Sequence, residues 1–399
     1  MKILVIVERL PSRIGGGIRQ WGLIRELSCR HEFSVVSYAY PVDAQRMDDL
    51  RPFVQRLETV SLPQPVMPQR SAWYWRANAW THTLLDSSPR RGRYPESAAF
   101  RARVREVIEG QRFDIIQVHQ AYMARFLPET DAATLLDMQD ILSAYEQLVY
   151  QKKAKWTERF AAWAEWKKTL ALERRTIPGF DLCTTATEED RTRVLRVCPE
   201  ARVSVIPNGV DTRYFRPSTE PPSSPSLVFV GSMDYAANVD AVLHFYHAIL
   251  PLVRAREPGI RFYVVGYGPP PEVLALKNDP SVVVTGLVSD VRPYLAQAAV
   301  VVVPLRLGSG IRNKILEAWA SSKAIVSTNL GAEGLPVRHG ENILLADEPE
   351  EFAECVLDLL GSPRKCMQLG EAGRAMVEAS YSWPIMAAKM DAIYDELAL

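Results

Sequence analysis

The sequence predicts an α/β protein built from two doubly wound parallel-sheet domains. Three observations lead there. Short runs rich in Val, Ile and Leu alternate with longer helical patterns over nearly the whole chain. At 399 residues the chain exceeds one ordinary core, which favours two domains. A Pro/Ser-rich stretch from Phe215 to Pro225 has the composition of a linker.

The chain opens on Lys2-Ile3-Leu4-Val5-Ile6-Val7. This apolar run is too short for a signal peptide and no small-residue cleavage site follows, so it reads as a buried first strand. Further strands are expected at 33–38, 114–118, 134–137, 182–185 and 203–206, with helices at 17–29, 96–110, 140–177 and 187–196. After the linker, strands are expected at 227–230, 261–265, 282–285, 300–304, 324–327 and 343–345. Helices are expected at 238–256, 290–298, 313–321, 349–361, 364–379 and 384–397. The domains are then 1–212 and 213–383. Ligands of such sheets bind beyond the carboxyl ends of the strands, which puts the expected site in the cleft between the domains.

Composition narrows the function. The 47 Lys and Arg balance the 47 Asp and Glu, so nothing in the net charge argues for nucleic acid. The longest apolar runs, such as 300–305, are strand-sized and short of a membrane span. Cys29, Cys183, Cys198, Cys355 and Cys366 are scattered, with no metal-ligand spacing, and read as reduced thiols of a cytosolic protein.

The segment from Gly308 to Glu317, Gly-Ser-Gly-Ile-Arg-Asn-Lys-Ile-Leu-Glu, carries the chemistry. It joins the strand 300–304 to the helix 313–321. A Gly-containing turn that feeds a helix offers free N–H groups and the positive end of the helix dipole to an anion. Arg312 and Lys314 add positive charge, and Glu317, three residues beyond Lys314, shares its face. Phosphate on the amides and a sugar hydroxyl on the carboxylate together suggest a nucleotide.

Landmarks in order along the chain extend this reading. They are Gly15-Gly16-Gly17 after the first strand, His119 closing Asp114-Ile115-Ile116-Gln117-Val118, and Pro207-Asn208-Gly209-Val210-Asp211 followed by Phe215. Phe229-Val230-Gly231, Val264-Val265-Gly266-Tyr267-Gly268-Pro269 and Val284-Thr285-Gly286-Leu287-Val288-Ser289-Asp290 follow. With Glu317-Ala318-Trp319-Ala320, this set resembles the retaining glycosyltransferases of family 4, over most of the chain and most weakly at about 40–110. The resemblance implies a GT-B fold, with two Rossmann-like domains facing a central cleft and the last helix, 384–399, packed back on the first domain. It implies transfer of a sugar, with retention, from a nucleotide-diphosphate sugar to a glycan or lipid-linked acceptor, in bacterial polysaccharide or glycolipid assembly. No cofactor and no metal are implied, and the sequence holds neither an Asp-x-Asp motif nor a His/carboxylate cluster with metal spacing.

The resemblance also assigns residues. Glu317 matches the second glutamate of the family's Glu-x7-Glu motif, which takes the ribose hydroxyls; a carboxylate suits two hydroxyl donors. Ser309 stands where the family has its first glutamate, so the carboxylate near the reacting carbon is missing. Family members commonly carry an Arg after the Gly of the first second-domain strand and a Lys soon after. Here those places read Ser232 and the neighbourhood of Asn238, so Arg312 and Lys314 are expected to neutralise the diphosphate instead. The bland alternative is a solvated first turn. Gly16 and Gly17 match the family's first-turn glycines, whose backbone approaches the donor phosphate or the acceptor. Arg19 is a further phosphate or acceptor contact. His119 matches a histidine that donates a hydrogen bond to the reacting sugar. Asp137 and Asp140 are expected at the acceptor, although Asp140 equally fits a helix N-cap. Gly231, Gly266, Gly268, Val288 and Asp290 lie on loops that hold the nucleotide, and Gly310, Ile311 and Leu316 complete the donor segment.

Residues 51–125 hold twelve arginines against six acids, with no lysine, and include Trp73, Trp75 and Trp80. The 140–177 stretch adds Lys152, Lys153, Lys155, Trp156, Trp163, Trp166, Lys167 and Lys168. Such a surface fits peripheral docking on an anionic membrane at its cytoplasmic face, unless the tryptophans turn to the core. Three rival functions remain open here. One is a GT-B nucleotide-sugar-binding protein without transfer, motivated by Ser309. Another is a nucleotide-sugar epimerase. The third is a dinucleotide oxidoreductase, whose fingerprint needs a glycine where Gln20 stands.

Overall fold

The computed structural model describes residues 1–13, 17–39, 43–61, 88–89, 97–218, 224–308 and 311–398. The chain divides into two units, Met1–Pro207 with Met386–Leu399, and Asn208–Ile385.

The first unit carries a seven-stranded sheet of order β3-β2-β1-β4-β5-β6-β7. Its strands are β1 Lys2–Arg9, β2 Glu32–Ala39, β3 Arg56–Ser61, β4 Ile115–His119, β5 Ala133–Met138, β6 Leu182–Thr185 and β7 Val203–Val205. All pairings are parallel. Ile3, Leu4, Val5 and Ile6 are all buried, as expected for a strand covered on both faces. The chain steps outward from β1 to β3, then crosses to β4 on the other side of β1. That reversal makes the β1/β4 carboxyl ends a natural ligand crevice.

The second unit repeats the plan in a six-stranded parallel sheet of order β10-β9-β8-β11-β12-β13. Its strands are β8 Ser226–Val230, β9 Arg261–Val265, β10 Val282–Gly286, β11 Val300–Val303, β12 Ile325–Ser327 and β13 Leu344–Leu345. The reversal lies between β8 and β11, so Gly231 and the segment after Val303 flank it. One helical stretch, Ala236–Arg256, is long and apolar enough to cross a membrane by length and composition. Its Ala237, Val242, Phe245, Ile249 and Val253 are buried in the second unit, with Phe245 packed 4.7 Å from Phe262. A π-turn at Phe245–Ile249 interrupts it just before Pro251, which lacks an N–H for the regular ladder.

The structure differs from the sequence reading at several points. β3 was not expected: Arg-Leu-Glu-Thr-Val-Ser is an edge strand with mostly half-buried residues, and it gives no clear apolar run. The single helix expected at 140–177 is two, Leu142–Lys152 and Trp156–Thr176. Lys153 and Lys155 are extended at ψ 119° and 129°, within a cluster of like charges. Asp140 is not the N-cap, which is Ile141. Glu173 caps that helix from outside, accepting from the Ser143 amide at 3.1 Å and from its hydroxyl. The division between units precedes the expected 212/213, because Asn208 to Phe215 is tied to second-unit groups. Val210 N donates to Tyr381 O at 2.8 Å, and Arg374 donates to Phe215 O at 2.7 Å and Thr212 O at 3.0 Å. The final helix, Trp383–Leu397, joins the first unit from Met386 onward. There Asp391 meets Arg30 and His31, and the Tyr394 hydroxyl donates to Gln117 Oε1 at 2.6 Å.

Candidate functional site

In the second unit the site forms around the start of the helix Asn313–Ala320, which begins beyond the carboxyl end of β11. Its apolar face, Ile315, Leu316, Ala318 and Trp319, is buried and fixes the polar face. Leu316 is fully buried, so its side chain packs in the core. Ile311 is buried just ahead of the N-cap Arg312.

Lys314 reaches across to the carboxyl end of β8. Its Nζ donates to Asn238 Oδ1 at 2.7 Å and lies 3.9 Å from the Phe229 ring centroid. A Cβ built on Gly231 would sit 2.9 Å from that Nζ and 2.8 Å from Asn238 Nδ2, so the amine occupies the space directly over Gly231. Gly266 is needed by its neighbour, since a Cβ there would lie 1.8 Å from the Gly231 carbonyl oxygen. The Arg312 side chain is buried and its guanidinium packs on Gly308, at φ 127°, where a Cβ would lie 2.7 Å from Nη2. Burial and the nearby Arg312 hold the Lys314 amine well below its ordinary pKa. Burial pushes the Glu317 carboxyl up to about 7, against the pull of Lys314. No hydrogen-bond donor among the described residues engages the Glu317 carboxylate. An amine, a guanidinium, a helix N-terminus and an unoccupied acceptor therefore gather at one switch point. This set can receive a phosphorylated sugar.

Ser309 and Gly310 lie outside the described residues, as do Gly15, Gly16, Trp73, Trp75 and Trp80. On the β10 side, Val288 is half-buried on its loop. Asp290 is engaged elsewhere: Arg292 pairs with it through Nε at 3.0 Å and Nη2 at 2.7 Å and stacks 3.9 Å over the Tyr214 ring.

In the first unit the structure corrects two expectations. Arg19 and Asp137 face neither a phosphate nor an acceptor, because both are fully buried and paired with each other. Arg19 Nη2 and Nε donate to Asp137 Oδ1 at 2.9 and 3.0 Å, and Nη1 donates to Ile206 O at 2.6 Å. Thr184 Oγ1 donates to Asp137 at 2.8 Å. Gly17 is fixed by packing, since a Cβ would lie 2.6 Å from Leu10 O. Asp140 is half-buried, and its backbone meets the Gln120 amide at 3.2 and 3.3 Å.

His119 ends β4 at the switch point. Its pKa is lowered, chiefly by burial, with Asp137 opposing, so the ring is neutral near pH 7. Gln139 bonds the ring, while Nε2 is buried with no partner among the described residues. Gln120, directly after it, sits at φ 73°, a strained value for a non-glycine residue. Sequence reasoning missed Gln120, Gln139 and the anchoring role of Asn238, none of which belongs to a short motif.

On the helix Trp156–Thr176, Trp156 is 78% exposed, and Phe160 and Trp163 are each 40% exposed. Their spacing puts them on one face. Trp166 instead stacks on Tyr150 at 5.8 Å beneath Lys167. Among the described residues, no three His, Cys, Asp or Glu side chains form a metal-ligand set.

Comparison with known proteins gives this geometry its class. Residues 15–214 match the family model described as Glycosyltransferase Family 4, and residues 224–362 match that described as Glycosyl transferases group 1. The MMP α-(1→4)-mannosyltransferase of Mycolicibacterium hassiacum is 26% identical over 325 residues, 76% of each chain. The GDP-mannose-dependent α-(1-6)-phosphatidylinositol monomannoside mannosyltransferase of Mycobacterium tuberculosis is 29% identical over 243 residues. That match spans 54% of this chain and 62% of the relative, so this chain matches less than two thirds of the relative's length. The structure of Anabaena HepE in complex with UDP-glucose superposes with a TM-score of 0.70 at 14% identity, covering 99% of this chain and 100% of that one. Two parallel Rossmann-like sheets with these neighbours define the GT-B fold. The chain belongs to glycosyltransferase family 4 and is a glycosyltransferase, EC class 2.4.

Proposed function

We propose that the second unit binds a nucleotide-diphosphate sugar and that the enzyme transfers the sugar, with retention, to a lipid-linked or glycan acceptor. The observation that supports it most is the Lys314 amine held over Gly231 by Asn238. With Arg312 and the helix N-terminus it faces the leaving diphosphate, which gains charge as the glycosidic bond breaks. Glu317 accepts the ribose hydroxyls, and neutral His119 donates from Nε2 to the donor sugar. The departing phosphate takes the acceptor proton on the same face. GDP-mannose is the first donor to test, since the second relative is named as GDP-mannose-dependent. A thermal-shift screen of GDP, UDP, dTDP and ADP, then their sugars, tests the reading. Stabilisation by one diphosphate, with donor turnover abolished in Glu317→Ala, supports it. Binding without turnover of any donor would instead favour the non-transferring protein that Ser309 first raised. The exposed Trp156, Phe160 and Trp163, beside Lys152, Lys153 and Lys155, support docking at the cytoplasmic face of an anionic membrane.

A further inference from the structure

A hollow of about 280 Å³ in the first unit is lined by Arg101, Arg105, Arg125, Phe126, Leu127 and Pro128. Arg101 and Arg105 stand one turn apart on the helix Ala98–Gly110, whose buried Phe100, Val104 and Val107 fix its orientation. Arg125 comes from the short 3-10 turn Ala121–Phe126, which directly follows His119 and β4, and it stacks 5.0 Å over Phe126. The hollow thus opens beside the carboxyl end of β4, on the side of the sheet where doubly wound folds bind ligands.

Its lining holds three arginines and no acid. Like charges one turn apart on a helix repel each other. Glu58 of β3 and Glu106 of this helix answer other arginines: Arg103 pairs with Glu58 at 3.4 Å and with Glu106 at 3.0 Å, and Arg56 pairs with Glu58 at 2.9 Å. Among the described residues, neither Arg101 nor Arg105 has a side-chain hydrogen bond or an ion pair. Three guanidiniums around an apolar floor of Phe126, Leu127 and Pro128 make a receptor for a compact anion on an apolar stem. The volume lies at the small end for ligand sites and suits one anionic group with its attachment.

We infer that this hollow binds a phosphate ester, the anionic group of a phosphorylated acceptor. Its acceptor role rests on the transfer reading above; phosphate binding by the hollow does not. Inorganic phosphate and phenyl phosphate are the soluble probes. They are titrated with the donor site saturated by the nucleoside diphosphate that stabilises best, or in Lys314→Ala if none does. Phosphate-dependent stabilisation of the wild type is expected, and Arg101→Gln with Arg105→Gln should weaken binding by about tenfold or more. Arg101→Lys with Arg105→Lys should retain part of it. Nucleotide-dependent stabilisation should be unchanged in both variants, which separates failure of this inference from failure of the fold or of the donor site. Phosphatidylcholine vesicles carrying phosphatidic acid are the second probe. Given phosphate loss, reduced co-sedimentation of the Gln variant assigns the phosphate to a lipid headgroup, and unchanged co-sedimentation assigns it to a soluble acceptor. Phosphate binding equal in wild type and the Gln variant, or absent from the wild type, overturns the inference.

Discussion

Lys314 Nζ and Asn238 Oδ1 stand 2.7 Å apart, joining the helix after β11 to the helix after β8 across the switch point of the second sheet. Through this contact an amine carried after the neighbouring strand is held at the carboxyl end of β8. Gly231 beneath it leaves the room. In Gly231→Ala the new Cβ meets the flexible ends of Lys314 and Asn238, so the amine moves while the fold adjusts at small cost. Donor kcat/KM should fall by about tenfold or more, as binding and transition-state contacts weaken together. A melting temperature close to wild type, read in the same preparation, completes the expected result.

Donor binding should depend on pH through Glu317. Burial raises its carboxyl to about 7, and hydroxyl donors prefer the ionised form. Donor affinity therefore rises as pH increases through about 7. For the unliganded protein the sign is opposite. A carboxyl whose folded pKa is raised contributes stability below its unfolded pKa and loses it as pH rises through the folded value. Glu317→Gln should flatten both trends, as measured by KM and melting temperature between pH 5 and 8 (about the range its titration spans).

The Arg19–Asp137 pair is structural. Asp137→Ala leaves a fully buried guanidinium uncompensated and should destabilise the first unit by about 3–5 kcal/mol. Arg19→Met with Asp137→Leu should recover much of that loss in denaturant titrations. An Asp137→Ala protein that is fully stable and loses only acceptor affinity would restore the ligand role that the burial contradicts.

Membrane docking should run through the helix Trp156–Thr176. Trp156→Ala with Trp163→Ala should reduce co-sedimentation with vesicles that contain anionic lipid, leaving donor turnover in solution unchanged. Equal co-sedimentation would remove that face from the account.

Much of this was legible in the sequence, for identifiable reasons. The Val-rich runs of β1 and β11 announce buried parallel strands, and Lys314 with Glu317 shares a face by helical spacing alone. The partner of Lys314 was not legible, because Asn238 meets it only once β8 and β11 lie side by side. Arg19 looked like a ligand for the converse reason. A charge in the first turn after a strand suits a phosphate, and only the tertiary fold brings Asp137 beside it. Glu173 was invisible in the same way, since it caps a helix through Ser143, thirty residues earlier in the chain.

Donor turnover by Lys314→Ala, measured beside wild type and Lys314→Arg, tests the central claim most directly. A relocated phosphate cation predicts kcat lower by about 100-fold or more in Lys314→Ala, partial recovery in Lys314→Arg, and little change in melting temperature. Turnover by Lys314→Ala at the wild-type rate would contradict it.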